Sequence, residues 1–245
     1  MIISPEVIAE QVMGYVVWAS ELIPTLTPPK TPYSVAILPK WPHFYTWLLQ
    51  ATGYLLLDNK KKKMLIISQQ SDDKKNIIVD SNTFWPMLWQ ARKISPSKLS
   101  AFARSIGGKL SDKKSEKLQE NVHFQLPFLR VITNTKEIIH VSIGDTVTKI
   151  QIKKICTWIH THVQEYNIVL LTNFELSPST NLKKSDEHKQ IVKSIETSSL
   201  ATPLLMIFQN ILKFQKKKPE IVAYVNPGDF NKNGSLLTRY ICAVG

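Results

Sequence analysis

Residues 136–172, KEIIHVSIGDTVTKIQIKKICTWIHTHVQEYNIVLLT, decide the fold. Lys136-Glu137-Ile138-Ile139-His140-Val141-Ser142-Ile143 and Asn167-Ile168-Val169-Leu170-Leu171-Thr172 are short, nearly continuous apolar runs. That pattern belongs to strands covered on both faces. Asp145 to Tyr166, between them, is long enough for a full crossover helix, so the stretch predicts strand, helix and parallel strand. Upstream, Ser34-Val35-Ala36-Ile37-Leu38-Pro39 and Lys63-Met64-Leu65-Ile66-Ile67-Ser68 repeat the strand signal. Helical patterns fill the gaps: Phe44 to Leu56, and a stretch capped by Ser95-Pro96 that runs through Ile106 and ends at Gly107-Gly108.

Farther out the pattern continues. Ser4-Pro5-Glu6 opens a helix through Ala19, with serine as N-cap, proline in the first turn and an acid behind it. Pro24 and Pro28-Pro29 end that helix in a loop. Downstream, Asp186 to Thr197 and Pro203 to Phe214 predict two more helices. Glu220 to Tyr224 and Leu237 to Val244, on either side of Asn233-Gly234, predict a β-hairpin. Strands alternating with helices imply a three-layer α/β fold: a mostly parallel or mixed central sheet with helices on both faces. No Pro/Gly/Ser-rich linker divides the chain, so residues 1–245 are expected to form one domain.

The chain has 245 residues, 43% hydrophobic and 20% charged, with six Trp, seven Tyr and nine Phe. Chains of this size bury about 70–75% of their unfolded surface, and no disulfide or metal is needed to hold them together. Such a composition excludes disorder as the main state, and eight glycines without a repeat period exclude collagen-like architectures. Cys156 and Cys242 make no Cys-x-x-Cys pair. Residues 1–23 lack a basic start and are interrupted by Glu6, Glu10 and Glu21, so they do not read as a signal peptide. No run of about 18 apolar residues predicts a membrane span. A cytoplasmic location is the expectation.

The net charge is +12, and 27 of the 31 basic residues are lysine; the arginines are Arg92, Arg104, Arg130 and Arg239. Lysine lacks the fork with which arginine reads phosphates and base edges. Lys60 to Lys63, Lys153-Lys154 and Lys216 to Lys218 are among several clusters along the chain. Solvated loops and helix faces account for them more simply than a polyanion does, yet a lysine-rich surface leaves non-specific nucleic-acid binding open.

Motif by motif, chemistry is scarce. Ile106-Gly107-Gly108-Lys109 lacks both the earlier glycine and the following Ser/Thr of a phosphate loop, and reads as a helix C-terminus. His160 and His162 fall about 200° apart on a helix and cannot share an ion. Cys156 and His160, four apart, lack a second pair to complete a tetrahedral site. The tryptophans, Trp18, Trp41, Trp47, Trp85, Trp89 and Trp158, read mostly as core. No Ser-His-Asp or Gly-x-Ser-x-Gly arrangement is visible.

The order of segments resembles a known family. Ala36-Ile37-Leu38-Pro39-Lys40-Trp41-Pro42-His43-Phe44-Tyr45 resembles the "a-i-i-x-P-H-A-G-Y" strand and loop of the Memo family, also called AmmeMemoRadiSam system protein B. Gln119-Glu120-Asn121-Val122-His123-Phe124-Gln125-Leu126-Pro127-Phe128-Leu129 resembles its "E-H-S-I-E-x-Q-L-P-F-L", and Ile138 to Gly144 its following strand. Leu171 to Ser177 lies where the family has "S-S-D-x-x-H". Tyr224 to Asp229 with Gly234 to Tyr240 is similar to its closing segment. The likeness spans roughly residues 10–245, and lacks the family's leading "A-G-x-W-Y" segment, as if shortened at the N-terminus.

The resemblance implies a fold like that of class III extradiol dioxygenases, with a metal pocket of histidines and a carboxylate near a cysteine. Here the family's histidines fall at Lys40, Ser71 and Glu120, its aspartate and last histidine at Asn173 and Leu176, and its pocket cysteine at Ser199. Lysine, serine, asparagine and leucine do not hold a borderline metal, and Lys40 repels one. His43 and His123 remain nearby as candidate donors, and Lys40 and Glu120 are expected to pair in the ion's place. The expectation is a non-catalytic protein with a degenerate pocket, no metal or cofactor, and a binding or scaffolding role toward a protein partner. The alternatives are an iron- or copper-dependent oxidoreductase with displaced ligands, and a basic nucleic-acid-binding protein.

Overall fold

The computed structural model describes residues 13–18, 32–39, 44–70, 76–85, 88, 90–111, 122–172, 202–225 and 240–245. In chain order the early elements are β1 (Val35–Leu38), α1 (Phe44–Leu56), β2 (Lys63–Gln70), β3 (Ile77–Val79), α2 (Pro96–Ser105) and β4 (Lys109–Leu110). They are followed by α3 (Leu126–Ile132), β5 (Glu137–Gly144), α4 (Lys149–His162) and β6 (Tyr166–Leu171). The last elements are α5 (Pro203–Gln215), β7 (Glu220–Val225) and β8 (Tyr240–Val244). Residues 13–18 are helical, within the helix expected to end at Ala19. The helix expected at Asp186 to Thr197 and the Asn233-Gly234 turn lie outside the described residues.

The crossover unit is present but its helix is shorter than the pattern predicts. Thr148 stops the helix from starting at Asp145. Its hydroxyl accepts from the Gln151 N–H at 3.3 Å while Gln151 Oε1 accepts from the Thr148 N–H at 2.9 Å, a reciprocal cap. At the other end Tyr166 joins β6 because it pairs with Lys63 of β2. Ser95 and Thr202 cap α2 and α5 through the hydroxyl alone, accepting from the Lys98 and Leu205 N–H groups. Helix α2 closes through Gly107 at φ 72°, with the Gly108 N–H on the Ala103 carbonyl and the Gly107 N–H on that of Arg104. That is a Schellman closure, and Ile106 to Lys109 is a helix end as expected.

The strands form one sheet in the order β4-β3-β5-β2-β6-β1-β8-β7. Strands β5, β2, β6 and β1 are parallel, β3 and β8 join them antiparallel, and β7 pairs antiparallel with β8 as the tail predicts. Helices cover both faces, so the layered α/β architecture stands. Alternation along each strand divides the core. Leu65, Ile67, Ile139, Val141, Ile168 and Leu170 face α2, α4 and α5. Met64, Ile66, Ile138, Val169 and Leu171 face α1 and α3.

One lysine of the densest run is structural rather than solvated. Lys61 is buried, and its ammonium donates to Ser34 Oγ at 3.0 Å and to the Val163 carbonyl at 2.7 Å, with the Tyr166 carbonyl at 3.5 Å. It thereby ties the amino ends of β1 and β6. Desolvation holds its pKa below the usual lysine value. Among the tryptophans, Trp85 is core as expected, whereas Trp18 is 58% exposed.

Candidate functional site

Four parallel strands end side by side, with Leu38, Leu171, Ser68 and Ser142 in one register row. Helix α1, which follows β1, covers one face; α5, the next described helix after β6, covers the other. Neighbouring strands whose successors diverge in this way open a crevice beyond their carboxyl ends, where open α/β sheets bind ligands. Pro39, Gln70 and Thr172 stand at this edge. Lys40, Ser71 and Asn173 follow them directly in sequence. Those three, with Glu120, Leu176, Ser199 and His43, lie outside the described residues. His123 is described: it is exposed, its ring edge-on to Trp85 with centroids 5.7 Å apart.

The described groups at the edge are amides, hydroxyls and one carboxylate. Gln69 donates through Nε2 to Asp145, and the Thr172 hydroxyl lies 3.5 Å from Gln69 Oε1. Beneath them, on the α1 side, Gln50 donates through Nε2 to the Pro39 carbonyl at 3.1 Å. One turn along α1, Tyr54 donates to Gln125 Oε1 at 3.0 Å, and burial pushes its phenol pKa up. Both glutamines are fully buried, yet among the described residues Gln50 Oε1 and Gln125 Nε2 have no hydrogen-bond partner. An orphaned acceptor and an orphaned donor are thus buried on the α1 side of the sheet. Natural interiors rarely leave such capacity unused.

A second polar cluster escaped sequence reading altogether. Ser68 Oγ lies 2.9 Å from His140 Nε2, and His140 Nδ1 lies 3.7 Å from Asp80 Oδ2. All three residues are buried. Asp80 also accepts from the Asn82 N–H at 2.8 Å and gives its own N–H to the His140 carbonyl. These residues come from β2, β5 and the end of β3, so no local motif announces them. Their one signal is a polar residue at an inward position of an otherwise apolar run: IIS, IIVD and IIHV. The His140–Asp80 separation exceeds hydrogen-bond range and the serine hydroxyl is enclosed, so the triplet is a polar tie across the sheet rather than an exposed nucleophile.

The other imidazoles and the described cysteine are spread apart. The His160 ring stacks on Phe214 at 3.9 Å and the His162 ring on Trp158 at 4.1 Å, so the two point away from any common ion as expected. Cys156 is buried, its thiol pKa pushed up to about 12 by desolvation, which keeps it protonated at neutral pH. Burial likewise lowers the pKa of His160, opposed by a hydrogen bond to the Asn210 backbone. Among the described residues no three of His, Cys, Asp and Glu stand together at metal-binding distance. No described helix is long and apolar enough to cross a membrane.

No protein-family model matches the chain, and no curated protein matches it. Among solved structures it is similar to the crystal structure of an uncharacterized protein, JW3007, from Escherichia coli K12. The two are 11% identical, the match covers 86% of this chain and 99% of that one, and the TM-score is 0.52. The similarity is one of fold.

Proposed function

We propose that this chain is a divergent Memo-like protein that works by binding rather than catalysis, at a crevice that has exchanged metal donors for hydrogen-bonding groups. The observation that carries this reading is the pair of half-satisfied buried amides, Gln50 and Gln125, on the α1 side of a sheet whose carboxyl edge holds Gln69, Asp145 and Thr172. Amides and hydroxyls are weak ligands for iron, copper or zinc but strong partners for a neutral polar molecule that both donates and accepts. The replacements at Lys40, Ser71, Asn173, Leu176 and Ser199 point the same way. An oxidoreductase with displaced ligands is the reading set aside. It would build its site from His43, Glu120 and His123.

Thermal unfolding with excess iron(II) under anaerobic conditions, copper(II) or zinc tests the choice. A ligand at 100 times its dissociation constant adds about 2.7 kcal/mol to the folded state, a rise of several degrees in Tm. The binding reading expects less than about one degree from each metal. A rise of several degrees that a chelator reverses would overturn it.

A further inference from the structure

The helices on the two faces differ in charge. Helices α2, α4 and α5, with the residues that close α5, carry Lys98, Arg104, Lys149, Lys153, Lys154, Lys213 and Lys216 to Lys218, and no acidic residue. Lys153, Lys154, Lys213, Lys217 and Lys218 are all exposed and, among the described residues, form no ion pair. Glu137 and Glu165, at the amino ends of β5 and β6, are engaged by Lys98 and Lys63. Helix α1 on the opposite face has no charged residue.

Two grooves, each of about 360 Å³, lie on this cationic layer. One runs along the end of α5, lined by Gln209, Asn210, Lys213, Lys217 and Lys218. The other lies between α2 and α4, lined by Lys153, Lys154, Ser105, Thr157, Ile150 and Trp158, with most of its surface apolar. The His160 ring of α4 stacks on the Phe214 ring of α5, which is 55% exposed. Cationic grooves that track phosphates, with an aromatic face on which a base can stack, are the two components of sequence-tolerant single-strand binding. Amides and hydroxyls along the grooves add the backbone contacts that fix register. A flat anionic bilayer would not enter either groove, and lysine in place of arginine predicts little base discrimination.

We propose that the α2–α4–α5 face binds single-stranded nucleic acid without sequence specificity, with Phe214 as its stacking platform. This surface stands apart from the crevice, whatever the crevice binds. The test is fluorescence anisotropy of the full chain with labelled oligo(dT) between 50 and 300 mM salt. The expected log–log salt slope is about −3, since each neutralised phosphate of a single strand contributes about −0.7 and four contacts are expected.

Lys153→Gln/Lys154→Gln/Lys213→Gln should weaken binding more than about tenfold. Lys60→Gln/Lys62→Gln/Lys93→Gln, which removes equal charge from outside the three helices, should weaken it less than about twofold. Phe214→Ala should weaken oligo(dT) about tenfold and leave inorganic polyphosphate unchanged. Four outcomes would overturn the proposal: no binding at the lowest salt, equal loss in the two lysine variants, a Phe214→Ala effect that is absent or equal for both ligands, or binding confined to phosphatidylserine vesicles. Unchanged melting of each variant confirms that it folds.

Discussion

Under α2, α4 and α5 the sheet presents an almost wholly apolar surface, built mostly from Val, Ile and Leu, and the charged residues of those helices are all basic. Under α1 and α3 the same strands alternate carbon with Ser68, His140 and Ser142, facing Gln50, Tyr54 and Gln125 beneath helices that carry one charge, Arg130. One face is therefore optimised for packing within and charge without. The other keeps buried polar groups that an apolar core of the same shape would not need. Buried polar networks are costly when half satisfied, and proteins tend to retain them at functional sites. The difference sets a polar interior on the α1 side against a cationic exterior on the α2–α4–α5 side.

The largest effect belongs to the packing face. Phe208 on α5 is fully buried; Phe208→Ala should destabilise by about 3–5 kcal/mol in chemical denaturation. On the polar face, His140→Leu fills the space but removes the Ser68–His140 hydrogen bond and sets carbon against the Asp80 carboxylate, at a cost of about 1–3 kcal/mol. Adding Ser68→Ala should recover part of that loss. Strict additivity in that cycle would mean that the tie between β2 and β5 does not couple, and the contrast between the faces would weaken.

A comparable loss tests the edge of the sheet. A Cβ on Gly108 would lie 2.8 Å from Ile77 Cγ2 and 2.9 Å from the Ile77 carbonyl oxygen. Gly108→Ala must therefore push β3 aside, costing about 1–3 kcal/mol. An unchanged denaturation midpoint would show that the α2–β4 corner yields freely.

The smallest effect concerns pH. Burial lowers the Lys61 pKa in the folded chain, so between that value and the ordinary lysine value the unfolded state holds the extra proton. Stability contributed by Lys61 accordingly rises as pH climbs through that alkaline window, and Lys61→Met should lose this part of the slope. Denaturation midpoints at a series of alkaline pH values compare the two chains. Identical slopes would mean that Lys61 is effectively solvated.

Much of the fold was legible because the parallel strands are continuous apolar runs and Ser95-Pro96 announces the start of α2, whereas the Thr148 cap went unread and α4 was expected from Asp145. Strands β3 and β4 were not legible, since three and two residues give no period to read. Helix α3 is seven residues with Pro127 in its first turn, and stands out in the sequence only as part of a motif. The site was least legible. Ser68, Asp80 and His140 are 72 residues apart from first to last and meet only once the register of β2, β3 and β5 is set. The segregation of lysines follows the same logic, because a linear pattern does not reveal which helices share a face.

The central claim is that the crevice binds without a metal, and elemental analysis tests it most directly. The purified chain would be incubated with iron(II), copper and zinc in turn, desalted, and assayed for metal per protein. The account predicts sub-stoichiometric traces of each. Near-stoichiometric retention of any one would contradict it, and loss of that metal in His43→Ala, Glu120→Ala or His123→Ala would identify the displaced ligands.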